Sequence, residues 1–296
     1  MKSRLERALS PILGLLLVLQ SGLVVTGGAV RLTGSGLGCP TWPRCTSESY
    51  TPVPRQAQGQ VHAWIEFGNR LLTFALIIVS VAALVLVIKT KRRDIRGLAI
   101  GQLVGILAQI PLGGITVLTH LNPIPVAGHF LLSIILIAYG TTLFARRNRD
   151  TPPITPIPLN LWRLSKLHIC LATMVIVVGT MVTGSGPNAG DASAPRFKFQ
   201  LDHIAWIHAY LAIALTFVTL ALYISSNAEA NLRRRIIVFI AAVVVQGAIG
   251  FVQYYNGLPQ IIVGAHLLGV SLLWISAWRI HLATPRPTLN QEARTP

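Results

Sequence analysis

Eight apolar runs divide the chain, near residues 11–30, 63–88, 97–118, 126–145, 164–184, 204–224, 235–254 and 260–280. Each is close to the roughly 20 residues that a helix needs to cross hydrocarbon. Most charged residues fall in the short stretches between runs, which leave no room for a separate soluble domain. The first run opens like a signal peptide, with basic residues ahead of a Leu-rich stretch. It continues through Gly27 and Gly28 with no small-residue cleavage site and no polar mature domain behind it, so it is expected to stay as a span. The pattern predicts an all-α polytopic membrane protein with eight transmembrane helices.

The runs also fall into two sets of four. Thr33-Gly34-Ser35-Gly36 follows the first run, and Thr183-Gly184-Ser185-Gly186 follows the fifth. Gln109, Gly113 and His129 return as Gln246, Gly250 and His266 at one unvarying offset. The second and sixth runs align less cleanly and put Asn69 where the second set has His208. An even number of spans per unit makes these parallel repeats, related by an axis along the membrane normal. Two pseudo-repeated four-helix bundles are expected, one in residues 1–150 and one in 151–296, each with facing helices that build a site in its core. Small residues at Gly113-Gly114, Gly247, Gly250, Ala127-Gly128 and Gly264-Ala265 permit close helix approach or leave room for a flat ligand.

Composition agrees with the pattern. Hydrophobic residues make up 52% of the chain and charged ones 11%, against about 25% charged in a soluble domain. The net charge of +16 changes the picture only until its distribution is traced. Of the 25 Lys and Arg, 19 fall on the side of the termini and the even-numbered loops, including Lys2, Lys89, Arg92, Arg149, Arg233 and Arg294. Only Arg31, Arg44, Arg55, Arg70, Arg196 and Lys198 lie on the other. The positive-inside rule then puts both termini in the cytoplasm, with the chain in the cell membrane. Charge distributed this way encodes topology and contact with anionic membrane lipid, and argues against nucleic acid as a partner.

Asn69, His129, His208 and His266 each fall in the first two turns of an even-numbered run. Such runs all point the same way, so the four residues approach one membrane face. Polar groups are costly in hydrocarbon, and imidazoles on facing helices can hold a haem iron from both sides. A lone histidine near a helix end is more often interfacial than a ligand; the repeat relation reverses that reading for His208 and His266. The first half offers His129 with Asn69 in the partner position, and an amide is a poor iron ligand. That half therefore suits a haem with an open face. Glu66 lies one turn before Asn69 on the same side, where Arg70 at i+4 could neutralise it; pairing and use can coexist. His62, two turns above Asn69, could cap the pocket or act as a ligand in some state, and also reads as an interfacial residue.

The remaining candidates are blander. His120, His168, His203 and His281 are expected near membrane surfaces as polar padding. Trp42, Trp64, Trp206 and Tyr254 fit an aromatic belt. Cys39 and Cys45 share the first outer loop, where an oxidising compartment permits a disulfide and two free thiols are the alternative. Cys170 is alone in the fifth run and is expected to pack as a small hydrophobe.

At these residues the chain resembles the haem A synthase family. Val30-Arg31-Leu32-Thr33-Gly34-Ser35-Gly36-Leu37-Gly38-Cys39-Pro40-Thr41-Trp42-Pro43-Arg44-Cys45 is similar to the family's first-loop motif. Trp64-Ile65-Glu66-Phe67 is similar to the acidic motif that opens its second span. The resemblance implies an enzyme that oxidises the C8 methyl of haem O to a formyl group, giving haem A for a terminal oxidase. Two successive hydroxylations would yield a geminal diol that loses water. It further implies haem b on His208 and His266, haem O on His129 with Asn69 in its pocket, and a catalytic Glu66. Cys39 and Cys45 match the family's loop pair, which serves structure or redox transfer. Family members commonly have histidine where this chain has Asn69. Pathway logic names haem O synthase, the protohaem farnesyltransferase, and cytochrome oxidase assembly factors as partners.

Three rivals come from other classes. A b-type membrane cytochrome shares the histidine pair but has no use for Glu66 beside an open position. A thiol–disulfide oxidoreductase needs a second reactive cysteine pair, which the sequence lacks. A duplicated transporter would cluster its polar residues at the midplane and not near one face.

Overall fold

The structure is a computed structural model that describes residues 4–148, 157–226 and 229–286. The expected division at 150/151 falls outside the described residues, as do Lys2, Arg149 and Arg294. Eight helices make up most of the described residues: α1 Arg4–Leu32, α2 Gln60–Lys89, α3 Arg93–Leu118, α4 Pro123–Ala145, α5 Leu159–Ser185, α6 Leu201–Ser225, α7 Ala230–Tyr255 and α8 Gln260–Leu282. All eight are long and apolar enough to span a membrane, the anatomy of a multi-pass membrane protein. In hydrocarbon a backbone must bond to itself, so each apolar run closes into one uninterrupted helix. Several helices outrun their apolar stretch: α1 begins at Arg4 and α2 ends at Lys89. Hydropathy sees the part that sits in lipid, whereas the backbone ladder continues through the basic residues flanking it.

The helix starts are set by local chemistry. Asn122 caps α4, its side chain accepting from the Ile124 N–H at 3.0 Å, with Pro123 at the first helical position. Gly59 precedes α2 at φ 87°, a left-handed conformation that residues with a Cβ avoid.

Within α1–α4, neighbours meet in the order α1·α2, α2·α3, α3·α4 and α1·α4, which closes a ring. Helices α5–α8 close the same ring through α5·α6, α6·α7, α7·α8 and α5·α8. The rings join along α1·α8, α4·α8 and α4·α5. Two apolar clusters form the core, one within the first ring and one in the second ring that extends across the joint to Val24 and Ile137. Leu9, Leu13, Leu76, Ile95, Ile106 and Leu136 fill the first, and Leu222, Ile236, Phe239, Ala277 and Ile280 the second. Lipid tails are as apolar as leucine, so helix association in a membrane depends on close fit and hydrogen bonds. The joint supplies both. Trp274 and Trp278 of α8 donate to the Ile134 carbonyl and the Thr142 hydroxyl of α4, each at 2.8 Å. Helix α4, flanked by α1, α3, α5 and α8, buries half of its apolar window, against 17% for α6 and α7.

The four odd-numbered loops gather at one end of the molecule. Gly36 N–H donates to Gly190 O at 2.9 Å, Leu121 packs on Gly36, and Asn188 donates to Leu258 O at 3.3 Å. This end also carries the Cys39–Cys45 disulfide. At the opposite end Arg92 donates to the carbonyls of Arg146 and Arg147, and Ser165 meets Thr284.

Candidate functional site

The second ring holds its two histidines face to face. His208 sits early in α6 and His266 early in α8, diagonally across the ring. Their ring centres are 6.5 Å apart and their planes are inclined at 63°. Two imidazoles sharing one metal, with bonds of about 2 Å on either side, need centres about 6 Å apart. The His208 Nδ1 lies 3.0 Å from the Val175 carbonyl of α5. A carbonyl only accepts, so Nδ1 carries the proton and Nε2 keeps the lone pair that a metal requires. Helix packing brings the rings in close. A Cβ added at Gly179 would stand 3.1 Å from the His208 Cε1, and one at Gly250 would stand 3.3 Å from the His266 Cε1. The backbone carbonyl of His266 accepts from Gln246 Nε2 at 2.8 Å, and its Nδ1 is buried without a partner.

The first ring has half of this arrangement. His129 of α4 lies against Gly113, where an added Cβ would be 3.3 Å from its Cε1. Its carbonyl accepts from Gln109 Nε2 at 3.1 Å, and its Nδ1 is buried without a partner. Asn69 occupies the diagonal helix α2, and its Oδ1 accepts from the Thr26 hydroxyl of α1 at 2.7 Å. Thus a side chain of α1 holds the polar group here, as a carbonyl of α5 holds His208 in the other ring.

Over the first ring, at the end where the odd-numbered loops gather, lies a lid closed by a disulfide, whereas the α5–α6 loop of the second ring has none. Cys39 and Cys45 form a disulfide and are both fully buried. Glu66, 6% exposed, takes the Cys39 N–H on Oε2 at 2.7 Å and the Arg70 guanidinium on Oε1 at 2.5 Å. Arg70 continues to the carbonyls of Cys39, Thr41 and Arg44 at 3.0–3.2 Å. Trp42 lays its indole on Gly114, one residue from the glycine beneath His129. Charge-assisted bonds thus pin the lid to α2, and the Trp42 contact pins it to α3. Arg70 pairs with Glu66 as its i+4 spacing suggested, and it also anchors the loop, a role the spacing did not reveal. A carboxylate has about four acceptor sites, so Oε2 has capacity beyond its one donor.

Other expectations fare differently. His62 bonds the Ser35 hydroxyl at 2.9 Å, tied to the Thr33–Gly36 turn. His168 is no surface padding: it is fully buried, both ring nitrogens lack partners, and it packs edge-on against Phe239. Its position near a span end concealed that it faces the bundle interior. Cys170, expected to pack, is exposed on the outside of α5. Trp42 belongs to the lid and not to a belt, whereas Trp64 and Trp206 are about half exposed. The glutamines emerged from the sequence as repeat markers only. Their equal spacing of 20 residues before each histidine was the available signal for their role in bonding its carbonyl.

Among the described residues no three His, Cys, Asp or Glu side chains gather as a metal cage. A facing pair of imidazoles without a third protein ligand suits an ion that brings its other ligands with it, as haem iron does.

Relatives share this chain's sequence over long stretches. One from Geobacillus kaustophilus, called Heme A synthase, is 35% identical over 136 residues, covering 44% of this chain and 40% of its own length. One of the same name from Geobacillus thermodenitrificans is 33% identical over 143 residues, 46% of this chain and 43% of its own. The match thus spans less than half the length of either. A Listeria monocytogenes protein, also called Heme A synthase, is 24% identical over 91% of this chain and 93% of its own. The COX15-CtaA model, described as cytochrome oxidase assembly protein, matches residues 11–278. With nearly the whole bundle inside that match, the chain belongs to the COX15-CtaA family of cytochrome oxidase assembly proteins.

Proposed function

We propose that this protein is a haem A synthase, oxidising the C8 methyl of haem O to the formyl group of haem A. The observation that carries the reading is the inequality of the two pockets. One holds two facing imidazoles, of which His208 has the tautomer of a metal ligand. The other holds one imidazole and a buried carboxylate beneath a disulfide-closed lid. In this reading residues 1–150 form the substrate half and 151–296 the cofactor half, as parallel four-helix repeats. Their matching contact rings and the paired Gln109/His129 and Gln246/His266 bonds support that division. The disulfide end faces outward and both termini face the cytoplasm of a cell membrane, as the distribution of basic residues favours.

His208 and His266, facing across the second ring, would hold haem b. When bound it supplies one-electron transfer. Haem O, as substrate, sits in the first pocket on His129, with Asn69 leaving the opposite face unligated. The lid excludes water from the reacting edge, and Arg70 holds Glu66 aimed. We assign to Oε2 of Glu66, the oxygen with spare acceptor capacity, the transfer of a proton from one hydroxyl of the substrate's diol to the other, which leaves as water while the first becomes the formyl oxygen. Haem O synthase upstream and oxidase assembly factors downstream are the partners this chemistry calls for.

Glu66→Ala is expected to abolish haem A formation while haem b stays bound, read by extracting and chromatographing haems from cells making the variant. Normal haem A yield would remove Glu66 from the chemistry. A wild-type protein that holds haem b but never yields formyl-haem would instead make this a b-type cytochrome.

A further inference from the structure

Arg31 belongs to the first ring, yet its side chain works in the second. It lies near the end of α1, where Gly28 abuts Leu267 and Leu32 abuts Gly264, so its backbone is level with His266 of α8. From there the guanidinium crosses the joint. Nε donates to the Asn188 carbonyl and Nη2 to the Thr183 carbonyl, both in the segment leaving α5. Arg196 holds the same segment, donating to the carbonyls of Gly186 and Pro187 at 2.9 Å. Arg196 is near enough for its charge to act on Arg31.

Every acceptor these two cations use is a neutral carbonyl. Among the described residues neither has a carboxylate within ion-pair distance. The acid in that loop, Asp191, spends an oxygen on the Ser193 N–H at 2.8 Å and its hydroxyl at 2.6 Å. Among the described residues, the hydrogen bonds of Arg31 run from Nε and Nη2 and leave Nη1 available. Asp191 is near enough for its charge to act on Arg196, but among the described residues no carboxylate lies beside Arg31. A guanidinium held only by neutral carbonyls at the rim of an apolar bundle, next to a second cation, is an unfavourable arrangement unless an anion joins it. A haem carries two carboxylates at one edge, and the guanidinium fork matches a carboxylate in shape and charge.

We propose that Arg31, with Arg196 behind it, binds a propionate carboxylate of the haem held between His208 and His266. This rests on the haem reading above and extends it: the substrate half supplies an anchoring group to the cofactor half. The α1 arginine then has two roles, joining the rings through the Thr183 and Asn188 carbonyls and orienting the cofactor through Nη1. The haem would sit with its propionate edge towards the disulfide end.

The test separates the carboxylate from the joint. The full chain, stripped of haem in nanodiscs, is titrated with ferric protohaem or with its dimethyl ester, which lacks the charge. Arg31→Gln is expected to weaken protohaem binding about tenfold, as loss of a charge-assisted bond does, and to leave the already weaker ester unchanged. Arg31→Lys should recover part of the loss. Arg196→Gln, which keeps the Arg31 contacts, should show a smaller loss that also spares the ester, and it serves if Arg31→Gln does not fold. Equal losses for acid and ester, or no loss, would reduce Arg31 to a structural latch and overturn the proposal. So would an effect confined to nanodiscs containing phosphatidylglycerol and absent in phosphatidylcholine, which would make a lipid headgroup the anion. A wild-type protein that gives no six-coordinate spectrum with protohaem sinks the haem reading itself, a result distinct from any of these.

Discussion

Between α6 and α8 two imidazoles face each other, whereas between α2 and α4 His129 has across the ring an amide already held by Thr26. The surroundings of the two pockets are otherwise alike. A glutamine bonds the histidine carbonyl in each, a glycine lies beneath the α4 or α8 ring in each, and α1 or α5 supplies the group that fixes the α2 or α6 side chain. A shared frame with one altered ligand separates what holds a cofactor from what admits a substrate. Two strong ligands close both faces of an iron and favour electron transfer; one leaves a face open for exchange. The lid points the same way. The Cys39–Cys45 loop is pinned over the half proposed to take the substrate, and among the described residues no disulfide closes the other half.

The largest effect should come from breaking the closed side. His266→Ala removes one of two facing ligands and is expected to cost at least tenfold in retained haem b, with loss of the six-coordinate low-spin absorption spectrum. The first pocket, with its own core and lid, should still bind substrate haem. A low-spin haem surviving in His266→Ala would end the assignment of the second pocket. The next effect comes from making the halves equal. Asn69→His puts an imidazole where α6 has one, with the Thr26 hydroxyl at hand to accept from its Nδ1. A second low-spin signal should then appear on adding haem O, and turnover should fall severalfold because the open face is closed. Unchanged turnover, with the substrate haem still high-spin, would mean that Asn69 does not face the iron.

Much of this contrast was legible in the chain. Spans of about 20 apolar residues are read with few errors because lipid demands self-bonded backbone. The same repeat that marked His266 against His129 also marked Asn69 as the odd member. What escaped depends on distance across the bundle. Nothing in the sequence says that Cys39 lends its N–H to Glu66, or that Trp42 lies on Gly114. These are contacts between a loop and helices 27 or more residues away, and loop chemistry has no period. His168 and Cys170 show the complementary failure: two residues apart on one helix, they face opposite ways, and hydropathy averages over both. The direction of a polar residue around a helix, unlike its depth, is set by neighbours from distant parts of the chain.

The smallest effect tests whether the two pockets are energetically separate. Thr26 donates to Asn69 across α1·α2, one ring away from the histidine pair. Thr26→Val keeps the shape and removes the donor, leaving the amide oxygen unpaired in a low-polarity site. Loss of one such bond costs about 1 kcal/mol, which converts to roughly a fivefold change in affinity for haem O if Asn69 must be fixed for binding. The haem b spectrum should not move, because His208 takes its own support from Val175 on α5. Titrating haem O into the variant while watching the low-spin band reads both quantities at once. A shifted haem b band would show that the α1–α8 joint transmits the disturbance, and the halves would then have to be treated as one coupled site.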